Sequence, residues 1–354
     1  MRAGVLHAPH DLRVEDRPEP VPGGGDVVIQ VAYNGLCGTD ATEYSKGPMM
    51  VPLDKPHPGS GHVGPTTLGH EFVGTVVDAG GEARSWIGKR VASGSGVACG
   101  RCAWCLRGRT NLCATYYTLG LSTHGGLAEL VGAPASTLVE LPAGCAELDA
   151  ALAQPLAVGL HGVDRAQVAP GQRVVVLGAG AIGSFILAGL DGHDGHVTVV
   201  DVDAARLDVA RMLGATQTHL VGRDSTLDDL RDLIPDPVDV VIESSGAPGA
   251  AARALGLATR GGRVLLVGLV KAPQELLLAD AVLREVDVRT TVAHVCATDL
   301  PKALGLLSRT PLSSTIGVAT VPLESVVADA LEPLVAGAVS GKVLVDPRRF
   351  DEET

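Results

Sequence analysis

Apolar and polar positions follow two different rhythms along this chain. Up to about residue 155 the apolar runs are short and set among Gly and Pro, as at 27–32 (VVIQVA), 72–77 (FVGTVV) and 127–131. Runs of this kind, bounded by turn residues, predict short strands in an irregular β-rich domain. The middle of the chain changes character. RVVVL (173–177) is followed by a helical stretch near 181–190, and VTVVD (197–201) by the amphipathic DAARLDVARMLGA (203–215). VDVVI (238–242) and RVLLVGL (263–269) continue the series. Uninterrupted apolar strands alternating with helices predict a parallel sheet covered on both faces. Beyond about residue 290 short strands return with two helices, and VLVDP (343–347) predicts a closing strand. The expected organisation is an α/β chain in which 1–156 and 291–354 form one domain and 157–290 a doubly wound second one.

The turn after RVVVL carries Gly178, Gly180 and Gly183 in G-x-G-x-x-G spacing. Gly178 permits a tight turn, Gly180 lets the backbone approach a pyrophosphate, and Gly183 lets helix and strand pack closely. The helix N-terminus then faces the phosphate charge. The next strand ends at Asp201, 23 residues after Gly178. A carboxylate there can accept both ribose hydroxyls of NAD and repel the 2′-phosphate of NADP. This is the pattern of a Rossmann domain binding NAD. Arg206, one helical turn further on, is placed to flank the adenosine or to be a solvated helix charge, and it could soften the preference for NAD.

Composition narrows the function classes. The 354 residues are 46% hydrophobic and 19% charged, a globular profile, and 45 of them are Gly. A formal net charge of −12 without a long basic run argues against nucleic acid and anionic membrane as partners. No apolar stretch reaches membrane-spanning length without Gly or charge, and the N-terminal residues read as strand and turn rather than as a leader. The expected location is the cytoplasm.

Seven cysteines are present, and Cys99, Cys102, Cys105 and Cys113 give C-x2-C-x2-C-x7-C. In a large chain of cytosolic type such clustering points to metal rather than disulfides. Four thiolates leave no open coordination position, so a zinc there would be structural. An iron–sulfur cluster is the competing reading.

Two further motifs stand apart from this lobe: Cys37 in Cys-Gly-Thr-Asp (37–40) and His70 in Gly-His-Glu (69–71). Together with the thiol lobe, G-G-L-A-E (125–129), Q-P-L-A-V (154–158) and the glycine fingerprint, all in family order, they resemble the zinc-containing medium-chain alcohol and polyol dehydrogenases. The resemblance spans nearly the whole chain. It implies a GroES-like catalytic domain beside the Rossmann domain and two zinc ions per chain, one catalytic and one structural. It also implies NAD as cofactor, a small alcohol or ketone as substrate, and a homodimer or homotetramer. By resemblance Cys37 and His70 are catalytic zinc ligands and Glu71 an adjoining acid able to reach the metal. Thr39 takes the substrate proton, Asp40 orients His70, and Ile182 packs behind the nicotinamide ring. The segment between Cys37 and His70 is similar to the long insertion of the 2,3-butanediol dehydrogenase-like branch.

Two positions depart from the family pattern. Gln154 stands where relatives carry Glu or Cys as a further metal ligand. Thr42 stands where many carry His at the end of a proton relay. With Cys⁻, neutral His and Gln a zinc site is formally +1, which predicts weaker retention and stronger Lewis acidity unless Glu71 closes the shell. The expected activity is hydride transfer between a secondary alcohol, diol or polyol and NAD. A biosynthetic sugar or cyclitol dehydrogenase is the alternative enzyme. A redox-inactive cofactor-binding protein with a structural or regulatory role is the alternative of another class.

Overall fold

The computed structural model of the chain describes residues 1–270 and 272–349. These residues form two compact units, 1–157 with 294–349, and 158–270 with 272–293.

The second unit is built on a six-stranded sheet. In spatial order its strands are Gln217–Leu220, Val197–Asp201, Val174–Leu177, Val238–Glu243, Ala258–Leu266 and Asp287–Thr290. Every neighbouring pair is parallel. Numbered along the chain this is the order 3-2-1-4-5-6 of a doubly wound nucleotide-binding sheet. The sequence pattern explains it. Every residue of Val174–Leu177 and Val197–Asp201 is buried, which requires a β-branched run without polar alternation. Val176, Val199, Val240 and Ile242 are fully buried beneath Ile186 and Leu187 of the helix Ala181–Gly189. Each such side chain contributes about 1.5–3 kcal/mol. The strand order reverses between Val174–Leu177 and Val238–Glu243, and ligands of such sheets bind beyond the carboxyl ends at that point.

In the first unit the long strand Asp26–Gly35 is the hub. It pairs antiparallel with Glu71–Ala79, Leu130–Pro134 and Lys342–Asp346. Its last residue, Gly35, lies opposite Glu71 on one side and Leu344 on the other. The expected closing strand is therefore real, and it brings the chain's late residues to the centre of this sheet. A smaller sheet joins Asp11–Asp16, Arg2–Ala8 and Thr66–Thr67.

Two local expectations need correction. The strand expected at 127–131 begins only at Leu130. Leu127 spends its backbone groups elsewhere: its carbonyl accepts from the Gly4 N–H at 2.7 Å and its N–H donates to the Leu68 carbonyl at 2.9 Å. The tail holds more helical pieces than the two expected, namely Cys296–Leu307, Ser313–Ile316 and a π-turn Val327–Leu331 that runs into Glu332–Val335. Gly317 in the left-handed region stops the second of these.

Candidate functional site

The register of the first unit decides what meets what. Gly35 and Glu71 are partners at the ends of two antiparallel strands. Cys37 and His70 lie just beyond that pair, so 33 positions of sequence collapse into one short approach. Cys37 is the N-cap of the helix Gly38–Lys46, and its N–H donates to Asp40 Oδ2 at 2.8 Å. The other oxygen, Asp40 Oδ1, lies 3.4 Å from His70 Nδ1, and Asp40 is fully buried. This leaves the second ring nitrogen of His70 to face Cys37. Burial opposes a charged imidazole, but the charges of Asp40 and Cys37 outweigh it and push the His70 pKa well up. Thr39 Oγ1 is 3.8 Å from Cys37 Sγ.

Glu71 is almost completely buried, and its Oε2 forms an ion pair with Lys342, itself buried on the closing strand. Burial would depress the Lys342 ammonium, but the charges of Glu71 and then Cys37 hold its pKa above the ordinary value. A Cβ at Gly35 would run into the Glu71 carboxylate and would stand 3.2 Å from Lys342 Cε. Glycine at that position is what lets the pair close. Nothing in the sequence singled out Lys342, because its partner lies 271 positions earlier. The only hint was a charge directly ahead of the apolar run VLV in the strand KVLVD.

Among the described residues two groups of thiol, imidazole and carboxylate side chains can share an ion: Cys37, His70 and Glu71, and the four lobe cysteines. In each the ligand atoms lie within 4.8 Å of one another. Tetrahedral zinc with ~2.3 Å bonds to sulfur implies sulfur–sulfur separations of ~3.8 Å. In the lobe Cys102 and Cys105 are 3.5 Å apart and Cys99 and Cys105 4.0 Å apart, so the spacing fits. The N–H groups of Cys99 and Cys102 donate to the sulfurs of Cys113 and Cys99 at 3.2 and 3.3 Å, a setting that suits thiolates. Gln154 sits on the first turn of the helix Ala153–Ala166 and is half-buried. Thr42 donates to the Gly38 carbonyl at 2.8 Å, a helical back-bond. His57 accepts the N–H groups of Gly59 and Ser60 and so shapes the insertion loop. Cys145, Cys296 and His161 belong to neither group.

The second unit holds a pocket of about 500 Å³ at the carboxyl ends of its strands. Gly178, Gly180, Asp201 and Arg206 line it. Gly178 has φ +100°, and a Cβ at Gly183 would collide with the Gly178 carbonyl. A Cβ at Gly180 would meet nothing within 4 Å, leaving open space at the N-cap of Ala181–Gly189. That is the cradle a pyrophosphate needs. Ile182 is half-buried against the sheet core. Ser244 and Ser245, which sequence reasoning did not single out, line the same pocket just beyond the strand Val238–Glu243. Glu243 ends its strand buried, and its Oε1 accepts from the N–H groups of Ser245 and Gly246 at 2.8 and 3.0 Å. An acid at the end of the apolar run VVI, directly before Ser-Ser-Gly, was the available signal.

Comparison with known proteins agrees with this geometry. Residues 23–143 match the alcohol dehydrogenase GroES-like domain, and residues 181–309 the zinc-binding dehydrogenase domain. The chain is 33% identical over 333 residues to the sorbitol dehydrogenase of Bombyx mori, covering 88% of this chain and 92% of that one. Among solved structures it is similar to the 2R,3R-butanediol dehydrogenase from Bacillus subtilis. That match has TM-score 0.88 and 28% identity, and covers 98% and 99% of the two chains. It is also similar to a zinc-binding dehydrogenase from Sinorhizobium meliloti 1021 bound to NADP, with TM-score 0.86, 29% identity and 98% and 99% coverage. These relatives favour a working oxidoreductase over the redox-inactive reading. Among the described residues no helix is long and apolar enough to cross a membrane. The chain belongs to the zinc-type medium-chain alcohol and polyol dehydrogenases and acts on CH–OH groups.

Proposed function

We propose that this enzyme interconverts a secondary alcohol, diol or polyol and its ketone. In this reading one zinc is held by Cys37, His70 and either Glu71 or Gln154, and a second by the four lobe thiolates. The observation that carries the reading is the convergence of Cys37, His70 and Glu71 within 4.8 Å, with Asp40 behind the imidazole.

The chain's own groups divide the work. Zinc, when bound, supplies the Lewis acidity that lets an alcohol lose its proton near neutral pH. Asp40 fixes the ring of His70 through Nδ1 and fixes the Cys37 backbone through the helix cap, so one carboxylate aligns two ligands. Thr39, beside Cys37, accepts the proton of the substrate hydroxyl at Oγ1 and passes it outward. Thr42 cannot extend that path as an imidazole would, since its hydroxyl is committed to Gly38. Lys342 holds Glu71 and offsets its charge at the centre's edge.

A nicotinamide dinucleotide supplies the hydride acceptor. The second unit would hold its pyrophosphate at Gly178, Gly180 and the helix N-terminus, and its adenosine ribose at Asp201, a lining that supports NAD as a cofactor. Seven cysteines free of disulfides fit a reducing cytoplasm. Exposed Leu277, Leu278, Val282 and Leu283 form an apolar face suited to a homo-oligomer.

The test is a screen for nicotinamide reduction over vicinal diols, polyols, cyclitols and sugars, run on protein of measured zinc content. The expected result is turnover with at least one diol or polyol that disappears in Cys37→Ser together with one equivalent of zinc. Turnover that survives the loss of that zinc would reject the reading.

A further inference from the structure

Ser95 stands at a strained point of the first unit and is fully buried. Its φ is +55°, in the left-handed region that glycine enters freely and other residues rarely. The Gly96 N–H donates to the Gly94 carbonyl at 2.6 Å and closes a three-residue turn with Ser95 at its centre. Its two neighbours are glycine for want of space. A Cβ at Gly94 would run into Cys296 Sγ, and one at Gly96 into the Tyr116 hydroxyl. At 95, where glycine would relieve the backbone, the chain carries a side chain instead.

The hydroxyl of Ser95 donates to the main-chain carbonyl of His70 at 2.5 Å. His70 lies one residue before the strand Glu71–Ala79, just past the last pair of that strand with Asp26–Gly35. That sheet pairing has therefore ended where this buried carbonyl needs a partner. The His70 ring is held at its far end, where Asp40 stands 3.4 Å from Nδ1. Asp40 and Ser95 thus grip the same residue at its two ends, imidazole and main chain.

Ser95 is itself seated from the side of the cysteine lobe. Its N–H donates to Ser93 Oγ at 3.0 Å, and its carbonyl accepts the Leu119 N–H at 2.9 Å. Directly after it, Gly96–Val97 pairs antiparallel with Tyr117–Thr118. Cys99 follows this short ribbon by two residues and Cys113 precedes it by four. The ribbon is the neck of the lobe, and four thiolates closed on one ion would clamp its far end and keep the register that seats Ser95.

We propose that Ser95 is a positioning residue for the catalytic metal site, its hydroxyl holding the His70 main chain from the neck of the cysteine lobe. Order in the lobe is thereby passed to the imidazole ligand. The inference rests on the metal reading above, in which His70 is a ligand, and adds the group that fixes its backbone.

The test follows zinc retention site by site. Zinc-replete wild type, Ser95→Gly and Ser95→Ala are treated with a mild chelator and an alkylating reagent, and mass mapping follows Cys37 and the lobe cysteines separately. In Ser95→Gly, Cys37 should be labelled about ten-fold faster or more, the usual effect of removing a group that orients a metal ligand. Cys99, Cys102, Cys105 and Cys113 should keep their wild-type rates. The urea midpoint should stay near wild type, because relief of the left-handed strain offsets the lost hydrogen bond. Ser95→Ala loses the hydroxyl and keeps the strain, so it should label Cys37 equally fast but unfold at lower urea; it decides the matter if the glycine variant does not fold. Cobalt exchanged into the Cys37 site should give ligand-field bands that differ between wild type and either variant. Wild-type labelling of Cys37 in both variants, or identical cobalt bands, would overturn the proposal while sparing the metal site. So would equal loss of protection at Cys37 and in the lobe, which would make Ser95 a support of the lobe alone. If zinc does not protect Cys37 in wild type, the metal reading fails and the proposal with it.

Discussion

Lys342→Met should destabilise the first unit by several kcal/mol although Lys342 is itself no metal ligand. Met keeps most of the aliphatic stem and removes the ammonium. The Glu71 carboxylate, 1% exposed, is then left in the interior without its counter-charge. Coulomb's law with an effective dielectric constant of about 20 gives about 4 kcal/mol for unit charges ~4 Å apart. Removing one member of a buried ion pair costs about 3–5 kcal/mol in general. The two estimates agree, and that is a large share of a total stability of about 5–15 kcal/mol. For a unit of this size each kcal/mol moves Tm by about 2–4 °C, so a fall of about 6–20 °C is expected. Zinc beside Glu71 would take over part of the ammonium's role, which places zinc-replete protein near the lower end. The assay is urea unfolding and calorimetry of wild type, Lys342→Met, Glu71→Gln and the double variant. The double variant, with neither charge, should recover more than half of the single variant's loss. A single variant within 1 kcal/mol of wild type, or a double variant no more stable than the single, would show that the pair is not the electrostatic unit described.

Three further outcomes are expected. Gln154→Glu should slow zinc loss during dialysis against a mild chelator, read as metal per chain over time, because it turns a formally cationic site neutral; equal loss from both proteins would show that Gln154 is not beside the metal. Alkylation of the zinc-replete enzyme at pH 8 should spare the four lobe thiols and also Cys296, whose thiol burial pushes up to about 11, and chelation should release the lobe thiols but not Cys296; mass mapping that finds Cys296 modified first would contradict its placement. The His124 pKa is pushed down to about 4, chiefly by burial and then by the charges of His62 and Arg17. The unfolded chain therefore binds a proton from about pH 6.5 downward that the fold refuses, and stability is lost as pH falls from there toward 4. His124→Gln should flatten that part of the urea-midpoint profile, and an unchanged slope would refute the assignment.

What the sequence reveals follows the range of the interactions involved. The strand–turn–helix around Gly178, Gly180 and Gly183 and the lobe of four cysteines are local, so spacing alone exposes them. Cys37 and His70 needed the family pattern, because each is an ordinary residue until two strands bring them together. Lys342 and Gly35 stayed hidden for the opposite reason: their meaning exists only in the register of Asp26–Gly35 with its neighbours. Arg223 was equally silent, being one more charge in a polar turn until the fold brought that turn to the pocket that Asp201 also lines. The late start of the strand at Leu130 shows the same limit, since an apolar run does not say whose carbonyls its N–H groups will choose.

The placement of Lys342–Asp346 against Asp26–Gly35 also sets an order of assembly. During synthesis the partner of Gly35 is still unmade while some three hundred residues are added, about 15–60 s at ~5–20 residues per second. The second unit is continuous in sequence, 158–293, and its parallel sheet can close on the ribosome. The first unit can complete its central sheet only when the late strand arrives. If Cys37, His70 and Glu71 hold a zinc as proposed, the sheet that places Glu71 against Lys342 closes around it only after the last strand has been made.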